Sequence, residues 1–461
     1  MILPETLRKI TEQNRNATFP APHDDLKTAL DGFKTPNLDA GIDTQIAARI
    51  KQYKEQDISS PTEISHEDII RDIDFLFDML RYGYGAYQFY GGDDTFLPLK
   101  GSMLEQLKNT DNPLAIDAYT ELLVASLRSI VVDIHFSLGD CRIGAYSQLW
   151  MNDEHIIRKD GADYIVEIDG AAHRVLDGEI LPTLTCDGEL VWAFGYVRYG
   201  LKQGAERLEQ NVTIKLQSVE SGEMRNISVV MQPATDTDVS RDSIFAICEQ
   251  SGIKILENRR LWERDNESDL DEFPSTGRTL RDEPILILDL RGNGGGNDGL
   301  ASDWIEQYTG QAPNYGMMFR QVRLNSLTVN ELNQGIESAS PPSWQVGDYG
   351  NEHRFIPNKN LLIVLMDNRI GSAGDTFVGY LRQLENVLFV GANTMGVLTT
   401  GNVGSAVLPY SRLKVNFGVS LNVRTDLSQF EGIGFVPDLW VAPNDALERT
   451  LKFIERQKEI Q

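Results

Sequence analysis

Polar positions dominate the first sixty residues without a regular period, so residues 1–60 are expected to form an irregular polar extension. The pattern changes at Ser65. In SHEDIIRDIDFLFDML, apolar residues recur at 69, 73, 76 and 80, and Ser65 with Asp68 three residues on supplies a start signal, which predicts an amphipathic helix. Asn112-Pro113 predicts the start of a second helix, with Tyr119, Leu122, Leu123, Leu127 and Ile130 on one face. Together these define a helical N-terminal domain over 61–139.

From about 140 to 235 the texture becomes β. Asp169-Gly170, Asp187-Gly188 and Ser221-Gly222 each separate alternating or apolar runs, the pattern of hairpins, so a small antiparallel module is expected. After an acidic, exposed loop over 263–272, strand and helix patterns alternate to the end. Strands are expected over 284–290, 361–366 and 387–391, with helices near 298–308 and 374–385. That order predicts an α/β layer architecture over 236–461.

Charge narrows the partners. The net charge of −25 repels a phosphate backbone and an anionic membrane alike, so neither nucleic acid nor membrane insertion is expected. Cys141, Cys186 and Cys248 are too widely spaced for a disulfide framework or a C-x-x-C metal site. No continuous apolar segment marks a signal peptide or a membrane span, so the chain as given reads as cytoplasmic, or as exported if a leader has been removed.

The stretch 284–299, PILILDLRGNGGGNDG, runs a buried strand into a loop almost without side chains. Glycine lets backbone N–H groups approach a ligand closely. Gly294, Gly296 and Gly299 satisfy G-x-G-x-x-G, but no acid follows from Gln307 to Asn330 to hold a ribose. A P-loop needs Lys and Ser/Thr after the last glycine, where Leu300 and Ala301 stand. An oxyanion hole and a turn serving only tight packing remain open.

In LLIVLMDNRIGSAGDTFVGYLRQL, residues 361–384, a strand, a turn and a helix present Ser372 at a helix N-terminus. Ser372 and Asp375 also have the spacing of a capping pair. A serine nucleophile needs a base, and no lysine lies between Lys359 and Lys414. Of the six histidines, His23, His66, His155 and His353 sit in polar contexts and His173 ends a strand-like segment. In VVDIHFSL, alternation places Val132, Ile134, Phe136 and Leu138 on one strand face and Asp133, His135 and Ser137 on the other, which singles out His135.

From about residue 65 onward the chain resembles the serine peptidases that include the C-terminal processing (tail-specific) proteases and the core of tricorn protease. Four motifs in order carry the resemblance: ILILDLRGNGGG (285–296), NRIGSAGDTF (368–377), VGANTMG (390–396) and FEGIGFVPDLWV (430–441). It implies Ser372 as nucleophile. The processing branch holds a lysine just after a Thr-aromatic-Gly turn; here Thr394-Met395-Gly396 is followed by Val397. The tricorn branch uses a histidine supported by a preceding serine and by a glutamate near a Pro-Asp pair. His135 and Glu431 match that histidine and glutamate, while Ile134 replaces the serine and Asp133 is a substitute for it.

The resemblance implies a ClpP/crotonase-like α/β spiral core, with a PDZ-like module over 140–235. Its reaction is peptide-bond hydrolysis through an acyl-enzyme, without metal or organic cofactor, on a peptide or unfolded protein, by a monomer or an oligomer. The glycine loop then becomes half of an oxyanion hole, with N–H groups of Gly294 or Gly295 converging with that of Ala373. Two competitors stand beside this reading: a catalytically silent peptide- or ligand-binding member of the same fold, and a nucleotide-binding enzyme using the glycine loop.

Overall fold

The computed structural model describes residues 3–55, 59–203, 205–206, 208–234, 239, 242–264, 267–350 and 354–460. His353 and part of the expected acidic loop lie outside these residues. Its centre is a six-stranded sheet in which Phe245–Gln250 pairs antiparallel with Ile253–Asn258, followed in parallel by Ile285–Asp289, Leu361–Met366, Val387–Gly391 and Leu439–Trp440. The unbroken apolar runs follow from burial on both faces. Leu286 and Leu288 face one core with Trp304 and Phe377 from the helices Asp298–Thr309 and Ala373–Leu381. Ile285 and Ile287 face another core, with Leu451 and Ile454 of the helix Ala446–Ile460. The expected α/β layers, and each of the three strands and two helices that were to build them, are present.

A second sheet runs Ser343–Val346, Phe319–Asn325, Lys414–Arg424, Ser137–Leu138, Cys141–Arg142, with Thr400–Val407 also paired to Lys414–Arg424. Its apolar face shares one core with the helices Ala40–Lys54, His66–Gly83 and Ile116–Leu127. Residues 61–139 therefore have no core of their own: Phe75, Leu80 and Leu123 pack in the same cluster as Phe417 and Leu421.

Two expectations for the N-terminal part are corrected, and one holds. Residues 1–60 are not irregular, because Glu5–Thr18, Leu26–Gly32 and Ala40–Lys54 are helices, and Ile46 and Ile50 enter the shared core. Their polar faces hid a short apolar stripe that only tertiary packing rewards. Ser65 does cap His66–Gly83, accepting from Asp68 N–H at 3.2 Å. Asn112-Pro113 does not start the second helix, which begins at Ile116; Asn112 Oδ1 instead accepts from His66 N–H at 3.1 Å.

The module expected over 140–235 is built of strands from Tyr146 to Pro233, and the three dipeptides do join strand pairs. Met224–Pro233 pairs with both Gln210–Ser218 and Tyr146–Asp160, which closes part of the sheet on itself. Among the described residues of this module there is no helix, so its PDZ-like character has no helix to line a peptide groove. Among the described residues, no helix is long and apolar enough to cross a membrane.

Candidate active site

The parallel strands Ile285–Asp289 and Leu361–Met366 lie side by side and deliver the two informative turns to one place. Beneath them, buried Asp289 is bridged by Arg291 at 2.7 Å and Arg259 at 2.9 Å. Burial alone would raise the Asp289 pKa; the two guanidinium groups outweigh it and hold the carboxyl below its usual range. The Arg291 guanidinium also donates to Pro443 O at 2.7 Å, so the aspartate and arginine of LDLRGN brace the loop. Gly371 N–H donates to Asn293 O at 3.1 Å and ties the glycine loop to the serine turn.

Ser372 adopts φ 56° and ψ −123°, a conformation open to glycine but strained for serine. Such a residue costs of order 1–3 kcal/mol and persists where its surroundings over-determine it. Its hydroxyl caps no N–H of the helix Ala373–Leu381, so the capping reading fails on the serine side. Asp375 is instead wholly buried and accepts from Gly396 N–H at 3.1 Å and Val397 N–H at 2.8 Å. Burial pushes its carboxyl up to about 6.

The backbone at Gly295 approaches that of Gly371 and Ala373 closely. A methyl group built on Gly295, whose φ is +100°, would stand 2.7 Å from Gly371 O and 2.9 Å from both Ala373 N and Ser372 Cβ. Ala373 opens its helix, where N–H groups have no intrahelical acceptor. The Gly295 N–H is engaged by Asn293 Oδ1 at 2.9 Å, whereas Gly294 is exposed and lines the cavity in front of Ser372.

His135 and Ser372, 237 positions apart in sequence, line the same cavity of about 460 Å³, together with Gly294, Arg142 and Val397. His135 does not arrive on a regular strand: residues 131–136 are irregular, and pairing starts only at Ser137–Leu138. The cause is Asp133, whose buried carboxylate accepts from His135 N–H at 2.8 Å and bends the segment, overriding alternation. The other Asp133 oxygen accepts from Tyr84 Oη and Thr400 Oγ1, both at 2.9 Å. Thr400 Oγ1 in turn stands 3.4 Å from His135 Nδ1.

Glu431, which the resemblance implies as a support of the histidine, reaches this constellation through main-chain groups. Its two oxygens accept from Ile134 N–H at 2.8 Å and Thr399 N–H at 2.9 Å, the residues just before His135 and Thr400. It staples two segments rather than touching the imidazole. Burial, and then the nearby Asp133 carboxylate, raise its pKa above the ordinary carboxyl value. The His135 pKa is lowered, first by burial and further by the charge of Arg142, against the opposing pull of Asp133.

Thr400 and Tyr84 escaped sequence reasoning. Neither carries a motif, and they lie 267 and 49 positions from Asp133. His173, on the strand Ala171–Asp177, is buried inside the β module with Nδ1 2.8 Å from Ala171 O.

Residues 257–441 match the model of Peptidase family S41. No curated protein is similar in sequence. Among solved structures, mature CPAF aligns with 86% of this chain and 96% of its own at 13% identity, with a TM-score of 0.44. The photosystem II D1 C-terminal processing protease aligns with 82% of this chain and 93% of its own at 15% identity, with a TM-score of 0.35. Tricorn protease aligns with 86% of this chain but 37% of its own, at 12% identity and a TM-score of 0.38. The similarity to peptidase family S41 thus spans residues 257–441, the part of the chain that carries the glycine loop, Ser372 and Glu431.

Proposed function

We propose that this peptidase works through a Ser372–His135 pair in which His135 is oriented by Thr400 and Asp133. The observation that carries the reading is the Thr400 hydroxyl between Asp133 and the imidazole. Because that hydroxyl donates its hydrogen bond to Asp133, its oxygen is left as an acceptor for Nδ1–H. The tautomer this favours leaves Nε2 unprotonated, ready to take the Ser372 proton.

The reaction then runs through an acyl-enzyme. Ser372 Oγ attacks the peptide carbonyl while His135 takes its proton, and the imidazolium returns that proton to the leaving amine. The oxyanion falls between the N–H groups of Gly294 and Ala373; loss of one such donor typically costs roughly 3–4 kcal/mol of transition-state stabilisation. Glu431 acts as a positioning residue by holding the His135 and Thr400 segments together. Substrates are peptides or unfolded proteins. Val397, where the processing branch holds lysine, leaves histidine as the base.

A fluorophosphonate probe tests this directly. Wild-type protein should label on Ser372 and lose labelling in Ser372→Ala, with His135→Ala labelling slowly while melting cooperatively. Rapid labelling of His135→Ala would remove the histidine from the role, and no labelling of the wild type would favour the catalytically silent reading.

A further inference from the structure

The chain carries 68 acidic against 43 basic residues, yet the cavity in front of Ser372 inverts that balance. Its lining includes the cations Arg142 and Arg369 beside the neutral base His135, and contains no Asp or Glu among the described residues. A concave site lined by one sign of charge concentrates the opposite sign, most strongly between low-dielectric walls.

Arg142 is the informative member. It lies on the short edge strand Cys141–Arg142, with its backbone fixed from both sides: its N–H donates to Gln203 Oε1 at 2.8 Å, and its carbonyl accepts from the Arg128 guanidinium at 2.6 Å. Its side chain makes no ion pair among the described residues. The guanidinium is close enough to His135 for its charge to oppose protonation of the ring. An exposed arginine at a surface is ordinary; one lining the cavity of the nucleophile meets every substrate.

Resting on the peptidase reading above, we infer that the cleft selects peptides with a carboxylate side chain within one or two residues of the scissile bond, and that Arg142 receives it. A planar guanidinium matches a carboxylate in two parallel hydrogen bonds, a fit lysine does not reproduce. The strongly negative remainder of the protein sets a limit: one acid is drawn into the cleft, whereas an acid-rich segment is repelled before it arrives. Pairing also screens the cation from His135, so an acidic substrate restores basicity to the base that cleaves it.

Matched peptides carrying Glu, Gln or Lys at each position around the cleavage point, in free-acid and amidated forms, test the inference by kcat/KM. The wild type should prefer Glu over Gln by about tenfold, more at low ionic strength, whether or not the peptide end is amidated. Arg142→Gln should bring that ratio near one, Arg142→Lys should restore part of it, and Arg142→Glu should reverse it in favour of Lys. Fluorophosphonate labelling of each variant reports whether the serine remains assembled. Equal rates on Glu and Gln peptides, a preference that survives Arg142→Gln, or a preference only for a free chain end would overturn the inference while leaving the peptidase reading intact. Cleavage of no peptide, together with absent labelling, would overturn both.

Discussion

The Thr400 hydroxyl donates a hydrogen bond to the Asp133 carboxylate at 2.9 Å, across 267 positions of sequence, and its oxygen faces His135. Thr400→Val keeps the shape and deletes this bridge. The variant should lose about ten- to a hundredfold in kcat with little change in KM, the worth of a hydrogen bond to a charged group. Thr400→Ser should retain most activity. Steady-state kinetics of the pair checks this; equal losses in both would make Thr400 a packing residue.

The same environment fixes a pH dependence. Burial and the Arg142 cation both depress the His135 pKa from its ordinary 6.5, so the acid limb of kcat/KM should fall below that value. Arg142→Gln removes one of the depressing influences and should move the limb upward. Asp133→Asn removes the opposing carboxylate and should move it downward. A limb insensitive to both changes would assign it to another group.

Gly295→Ala should abolish turnover. The added methyl would stand 2.9 Å from Ala373 N, on the expected path of the oxyanion, and φ +100° strains any side chain there. A loss of roughly 1–3 kcal/mol in stability should accompany it. Denaturant unfolding separates the two effects: folded but inactive protein is the expected result, and active protein would displace the oxyanion from this loop.

Val397 is buried against the turn that carries Ser372, with a Cγ2 3.4 Å from where a Gly371 methyl would lie. Val397→Lys should lower activity, because an ammonium of like charge beside the imidazole weakens it as a base and must itself be desolvated. Hydrolysis that rises with the lysine and survives His135→Ala would transfer the base to position 397.

Stability should also drift with pH in a defined direction. Glu431 and Asp375 have folded-state pKa values raised above their ordinary values of 4.5 and 3.8, so the folded chain holds these protons more tightly than the unfolded chain. Their stabilising effect is complete below the ordinary values and is lost as pH rises, through about 6 for Asp375 and higher for Glu431. The melting temperature should therefore slope downward over this window, less steeply in Asp375→Asn. An unchanged slope would contradict the assignment.

Much of this architecture is legible in the sequence. The run 284–290 announced a strand buried on both faces because sheet and helices leave it no water, and Ser372 was marked by its turn of small residues. Two things were not. Alternation over 132–138 suggested a strand, but the Asp133 side chain captures the backbone of His135 and turns the segment. Glu431 is identified by resemblance as a support of the histidine, but the main-chain N–H groups through which it binds carry no sequence signal. Side-chain bonds to distant backbone have no period to read.

The Glu431 staple has a consequence for the protein during its own synthesis. It joins residues 297 positions apart, so the segment bearing His135 cannot be fastened in place until residue 431 has left the ribosome. On the Ser372–His135 reading, the catalytic pair is therefore completed only late in synthesis.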